Sequence, residues 1–217
     1  MFIGHWAPAF VAAAYPKAPR IGTLFIAAQL VDWAFFALLL MGAERMRMVP
    51  GISAMNPMDL YHMPYTHSLV GATAFALGFA LLLQLITGNK TGALIGGAVV
   101  LSHWCLDLLV HVPDLTLAGG LPKLGLGLWN HPWLEIPLEL GLTLGAMWLY
   151  ARARRPAALR LGVLAAVLLA LQMFNWFGPV AAKVTPGTSL IALAAYGLAT
   201  LAAWWVGKSE TVAYRAG

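Results

Sequence analysis

Residues 102–114 read SHWCLDLLVHVPD, a run of titratable side chains inside one of the most apolar stretches of the chain. His103, Asp107 and His111 recur every fourth residue, with Asp114 just beyond. On a helix, residues i and i+4 share a face one turn, about 5.4 Å, apart. These three side chains therefore line one edge. His131, Glu135 and Glu139 follow the same rule further on, and His5, Asp32, His62 and His67 lie upstream. Asp32, Asp107, Glu135 and Glu139 fall within apolar segments that contain no Lys or Arg. A charge at the centre of a membrane costs at least ~2.5–3.5 kcal/mol, so these four acids need protons or cations. Bound metal is the economical counter-charge, because it uses the histidines as well.

That reasoning gives an expected ligand set of His5, Asp32, His67, His103, Asp107, His111, His131 and Glu135. Oxygen and imidazole donors suit zinc, manganese or iron better than copper(I) or an iron–sulfur cluster. Two or three ions are expected, with Asp107 bridging two of them, since its two oxygens lie between two histidines on one face. A metal ion lowers the pKa of water from ~15.7 towards ~7. Glu139, Asp32 or a carboxylate not fully engaged is the expected general base, and His62 either ligates or protonates a leaving group. Ser68 has no Ser-His-Asp arrangement to make it a nucleophile. Taken singly, the residues have ordinary readings. His5 could be a helix-to-helix hydrogen-bond donor, Asp32 a protonated packing acid, and Glu139 an orienting or protonated acid. Asp114 could be a loop acid, and Glu44 and Asp59 solvated loop charges. Two i, i+4 His-to-acid pairs, His103–Asp107 and His131–Glu135, make the set harder to dismiss than its members.

The elements that must position these residues follow from composition. Of the 217 residues, 61% are hydrophobic and only 10% charged, against roughly 25% charged in a soluble domain. Crossing the hydrocarbon takes about 20 predominantly apolar residues. Six such spans are expected, at 21–42, 67–87, 92–112, 132–151, 158–178 and 188–207. Residues 1–15 form an apolar piece too short to cross, expected to be a half-helix or an interfacial segment closed by Pro16. The expected fold is an all-α polytopic membrane bundle forming one domain over residues 1–217. Thr66 is the expected cap of the second span, TGNKTG a turn, and Asn130 the residue ahead of a proline-initiated helix.

Residues 1–15 carry no basic n-region, so no signal peptide is expected. The lone Cys105 excludes an internal disulfide and a cysteine-based zinc site. The net charge of +5 resides mostly in loops and reports orientation rather than a nucleic-acid partner. If 151–158 face the cytoplasm, that side holds nine basic residues, Lys17, Arg20, Lys90, Arg152, Arg154, Arg155, Arg160, Lys208 and Arg215. The other side holds four, Arg45, Arg47, Lys123 and Lys183. By the positive-inside bias, loops 43–66 and 113–131 lie outside and the carboxyl terminus is cytoplasmic.

Three stretches resemble the YdjM-like family of bacterial inner-membrane metal-dependent hydrolases. They are Gly4–His5, HMPYTHS at 62–68 with its five-residue step between histidines, and LSHWCLDLL at 101–109. Met63 and Pro64 stand where that family has Arg-Gly, and QLVDWA has one acid where it usually shows Pro-Asp-x-Asp-His. More distantly, the order His5, Asp32, His67, His103-x3-Asp107, His111, His131-x3-Glu135 is similar to the ligand order of zinc-dependent phospholipase C and its related single-strand nucleases. These resemblances imply an inner-membrane hydrolase of phosphate esters with a multi-metal centre.

The leading expectation is therefore a hydrolase embedded in the inner membrane, acting on a lipid or lipid-linked phosphate or ester. Such a substrate keeps its tails in the bilayer, avoiding about 0.8 kcal/mol per exposed CH2. LTLAGGLPKLGLGLW at 115–129 is expected to be a short interfacial loop rather than a phosphate cradle, with Lys123 able to attract an anionic head group. The alternative is a divalent-cation or proton transporter, which requires acids spread through the membrane's depth. A bis-His haem carrier leaves the four carboxylates unexplained. An assembly protein with architectural metals is the remaining expectation.

Overall fold

The computed structural model describes residues 1–210, and Arg215 and the carboxyl terminus lie outside them. Among the described residues the architecture is an all-α bundle of seven α-helices. A 3-10 turn, Ile3–Trp6, leads into α1 (Ala7–Ala13), which is followed by α2 (Ile21–Leu40), α3 (Leu69–Thr87) and α4 (Lys90–Val110). A 3-10 turn at Leu128–Asn130 precedes α5 (Pro132–Arg154), α6 (Ala158–Phe177) and α7 (Pro186–Gly207). Among the described residues, α2, α3, α4, α6 and α7 are long and apolar enough to cross a membrane. The sixth expected span, α5, forms a 23-residue helix. That length is about 34 Å at 1.5 Å per residue, but it carries Glu135, Glu139, Arg152 and Arg154.

One feature differs from the sequence expectation. The long loops after α2 and α4 contain small antiparallel hairpins, β1 (Arg45–Met48) with β2 (Met58–His62), and β3 (Leu115–Thr116) with β4 (Lys123–Leu124). The strands are only two to five residues long, too short for period-two patterning to give a signal. The amino-terminal piece is the expected short half-helix, sunk into the bundle. Ile3, Gly4, His5 and Trp6 are all buried, and α1 packs against α2 and α5 inside the bundle.

Ends of helices follow local chemistry. Pro132 and Pro186 start α5 and α7 at the first turn, where a missing N–H costs nothing. Gly88 takes the left-handed conformation that stops α3 (φ 66°), and Asn89 caps α4 by accepting from Gly92 N. The cap of α3 is Ser68, which accepts from Gly71 N, not Thr66. The residue ahead of Pro132 is His131, which makes no side-chain cap bond.

The basic end of the bundle is tied together by side chain to backbone bonds. Arg154 donates from Nε to Ala13 O (2.6 Å) and from Nη2 to Tyr15 O (2.7 Å). Asn89 Nδ2 donates to Lys17 O at 2.8 Å, and Arg160 Nη1 to Trp205 O at 3.0 Å. These contacts gather the start of α2, the α3–α4 turn, the α5–α6 turn and the end of α7 at one end. The helix ends carrying the hairpins and the titratable cluster therefore form the opposite end.

Helices α3 and α4 approach closely at Gly97, where an added Cβ would sit 2.9 Å from the Ala76 carbonyl oxygen and 3.1 Å from Ala80 Cβ. Gly97→Leu is expected to destabilise the bundle by about 1–3 kcal/mol through overpacking. Gly141→Leu, where a Cβ meets nothing within 4 Å, is expected to be neutral. Unfolding transitions of both variants in detergent check the contrast.

Candidate metal centre

The site is built around one carboxylate. Asp107 is 1% exposed, on the inner face of α4. Four imidazole Nε2 atoms converge on it. His5 and His111 approach Oδ1 at 2.9 and 3.3 Å, while His103 and His67 approach Oδ2 at 3.1 and 3.5 Å. Asp32 joins the second group, its Oδ1 lying 3.4 Å from His67 Nε2 and 3.5 Å from His103 Nε2. The 3-10 turn supplies His5, α2 supplies Asp32, the residue before the α3 cap is His67, and α4 with its cap supplies His103, Asp107 and His111.

These are not hydrogen bonds. Neither oxygen of Asp107 and neither His5 Nε2 nor His103 Nε2 has a hydrogen-bond partner, although all are buried. Buried polar atoms left without partners are uncommon and costly. The spacing has a simple meaning: a tetrahedron of ~2.0–2.1 Å bonds separates its donor atoms by about 3.3 Å. His67, His103, Asp32 and Asp107 Oδ2 lie at 3.1–3.5 Å across four of their pairings. The groups His5, His103, Asp107 and Asp32, His67, His103 could each hold a metal ion.

The tautomers agree. Thr66 Oγ1 donates to Glu44 Oε2 (2.6 Å), so at 2.8 Å from His67 Nδ1 it must accept from that ring nitrogen. His103 Nδ1 donates to Ala28 O at 2.8 Å, and His111 Nδ1 donates to Asp114 Oδ1 at 2.9 Å. In all three, the proton on Nδ1 leaves the Nε2 lone pair free to ligate, the usual way outer partners orient metal-binding histidines. Rings are held by stacking as well: His5 lies on His103 (3.8 Å between centroids, 15° between planes), and Trp129 on His111 (4.3 Å). Burial and the neighbouring His103 hold the His5 imidazole down at about 3. Burial also opposes a charge on His111, but Asp107 and Asp114 outweigh it and raise its pKa to about 9.

Beside this cluster, Glu135 is buried with Oε2 unpartnered. Glu139, expected as a base or an orienting acid, is bonded through both oxygens. One oxygen accepts from Phe2 N and from Gly4 N (3.0 Å), and the other accepts from Gln172 Nε2 at 2.9 Å. Gln172 Oε1 in turn accepts from Ile3 N at 3.2 Å. Glu139 and Gln172 thus dock the turn that carries His5. A Cβ at Gly4 would lie 2.1 Å from Met1 Sδ, so a larger residue there displaces the Met1 side chain.

Six expected ligands, His5, Asp32, His67, His103, Asp107 and His111, come together. Glu135 lines the same cavity. His62 and His131 do not join them. Both are exposed, His62 on β2 opposite Arg45 and His131 ahead of α5 with its ring edge-on to Trp133. The regular i, i+4 step from His131 to Glu135 is interrupted because the helix begins only at Pro132. Several partners stand where the sequence suggested otherwise. Glu44 is no solvated charge but fully buried, accepting from Tyr65 N, Thr66 N and Thr66 Oγ1. Asp59 is paired with Arg47 Nε at 2.6 Å across the β1–β2 hairpin. Tyr196 on α7, unnoticed in the sequence, donates to Asp32 Oδ2 at 3.2 Å. A polar Gln or Tyr within an otherwise apolar span was the available signal for Gln172 and Tyr196.

No protein-family model, curated protein or solved structure matches the chain.

The distance chain Glu44–Thr66–His67 predicts that Thr66→Val weakens metal binding about 10–100-fold, the usual effect of removing such an outer partner. His62→Ala and His131→Ala are expected to leave binding unchanged. Competition with a chelating indicator, using the purified protein and zinc or manganese, checks all three.

Proposed function

We propose that the chain is a hydrolase embedded in the membrane, using two divalent ions bridged by Asp107 to cleave a phosphoester of a lipid or lipid-linked substrate. The observation carrying this reading is the set of inward-facing, unpartnered Nε2 and carboxylate oxygens at donor-to-donor spacing around Asp107. His67, His103, Asp32 and Asp107 Oδ2 would hold one ion, and His5, His111 and Asp107 Oδ1 the other. Zinc suits the imidazole-rich set, with manganese and iron as alternatives. Such a pair supplies an activated nucleophilic water and stabilises charge on the attacking and leaving oxygens. The three stretches that resemble the YdjM-like hydrolases each contribute to the cluster through His5, His67, His103 and Asp107, which supports a bacterial inner-membrane enzyme of that type.

The chain's own residues divide the remaining work. Glu135, with one oxygen unengaged, accepts the proton of the attacking water as the new P–O bond forms. It returns that proton to the leaving oxygen as the old P–O bond breaks, the ordinary course of general acid–base catalysis. Tyr196 and the Thr66–Glu44 pair fix Asp32 and His67. A cavity of about 500 Å³ adjoins the cluster, within the range of small-molecule sites. The β1–β2 hairpin contributes Met48, Met58 and Leu60 to its lining. Clustering of the acids at one end of the bundle favours a reaction at a head group over an ion path through the full depth. The basic opposite end supports a position for this cluster in the outer half of the membrane, by the positive-inside bias.

Metal-loaded protein in vesicles of phosphatidic acid and phosphatidylglycerol is expected to release phosphate or head group, and a chelator to stop it. Asp107→Asn is expected to cut the rate at least 100-fold with helix content intact by circular dichroism. Glu135→Gln is expected to cut it about 100-fold with metal content unchanged, the range typical of a proton-transfer residue. Protein that binds two metal equivalents and releases nothing from any phospholipid would overturn the reading.

A further inference from the structure

The cavity beside Asp107 has two chemically distinct ends. Its polar end carries His5, Asp32, His67, Asp107, His111 and Glu135. Its other wall is formed by Phe35 of α2, Leu171 and Phe174 of α6, and Ile191, Ala192 and Ala195 of α7. Two of these wall residues are also on the outside of the bundle, Phe174 at 56% exposure and Ile191 at 61%. A side chain that both lines a cavity and faces outward stands at its mouth. Near these positions the exposed residues include Met173 and Phe177 on α6, Leu190 on α7 and Val180 in the α6–α7 connection, apolar side chains on and between two helices long and apolar enough to cross a membrane. Phe174 and Ile191 lie three and five residues from the ends of their helices, within about 8 Å along the axis. The mouth therefore opens to hydrocarbon just below the interface, at the end of the bundle that holds the cluster.

We propose that this cavity is entered sideways from the bilayer past Phe174 and Ile191, and that its wall on α6 and α7 seats one hydrocarbon chain of the lipid whose head group meets the Asp107 cluster. The inference rests on the reading of the site as one for an amphiphilic ester. The occupant matches the cavity at both ends: a cation-binding polar floor for an anionic head, and an apolar wall for a chain that stays out of water. Extracting such a chain would cost about 0.8 kcal/mol per CH2, and the lateral mouth removes that cost. Ala192 and Ala195 set the width. They lie one turn apart on the inner face of α7, where a larger side chain would project into the chain's seat. Tyr196 next to them is committed to Asp32, so the width of the seat and the placing of Asp32 are set by neighbouring residues of one helix.

The test uses a phosphatidic acid with a photoactivatable diazirine midway along one acyl chain, in vesicles with the metal-loaded protein. Illumination and peptide mass spectrometry are expected to place adducts on 171–175 and 188–195 at several times the level on α3, whose Leu77 and Leu81 are freely exposed. Ala192→Phe is expected to lower the cavity adducts at least five-fold with metal content unchanged, and Ala195→Leu to do the same if the first variant folds poorly. Adducts distributed evenly over all exposed helices, or insensitive to both variants, would overturn the proposal. This readout needs no turnover, so it is independent of the hydrolysis assay. In the assay itself, Ala192→Phe is expected to slow the long-chain lipid at least ten-fold while sparing a dihexanoyl analogue. Equal slowing of both substrates counts against the chain seat, whereas hydrolysis of neither by the unaltered protein counts against the enzymatic reading.

Discussion

A carboxylate taken out of water must be compensated, and around Asp107 no lysine or arginine does so. That constraint organises the bundle. Asp107 is 1% exposed, and facing it are four imidazoles, three of which have their outer nitrogens already committed elsewhere. Each commitment draws in another part of the chain: the Ala28 carbonyl from α2, Asp114 from the loop after α4, and Thr66 with Glu44 from the loop after α2. An ion pair with a basic residue would have been satisfied by one contact. A ring of imidazoles requires several elements to arrive at fixed distances, which is why loops far apart in sequence are pinned to this end.

The two ends of the bundle divide labour. One end is held by arginine side chains donating to exposed turns, contacts that tolerate water and displacement. The other relies on buried carboxylates accepting from backbone amides, as Glu139 does from Phe2 and Gly4, and Glu44 from Tyr65 and Thr66. Buried acceptors of this kind hold position tightly because losing one partner strands a charge-bearing group. Precision is concentrated at the end where the imidazoles must be aimed.

Much of this was legible in the chain. Apolar length alone located all six long helices, and period-four spacing correctly aligned His103, Asp107 and His111, because α4 carries the first two and its cap, still bonded to the Asp107 carbonyl, carries the third. The same rule misled at His131, since Pro132 starts the helix one residue later and leaves His131 outside it. Charge in a loop suggested exposure for Glu44, yet it is buried because two consecutive backbone amides and a hydroxyl turn towards it. Such convergence depends on loop conformation, which has no periodicity to read. Tyr196 and Gln172 were hidden differently, as single polar residues in spans whose apolar character dominated.

The docking of the amino-terminal turn has a consequence for how the molecule is made. Phe2, Ile3 and Gly4 are held by Glu139 and Gln172, 135 to 169 positions later in the chain. That turn therefore lacks these partners until α5 and α6 have emerged and been inserted. His5 waits with it, so the ring of imidazoles closes only once those helices are in place, and a ribosome-bound intermediate ending at α4 lacks one quarter of it.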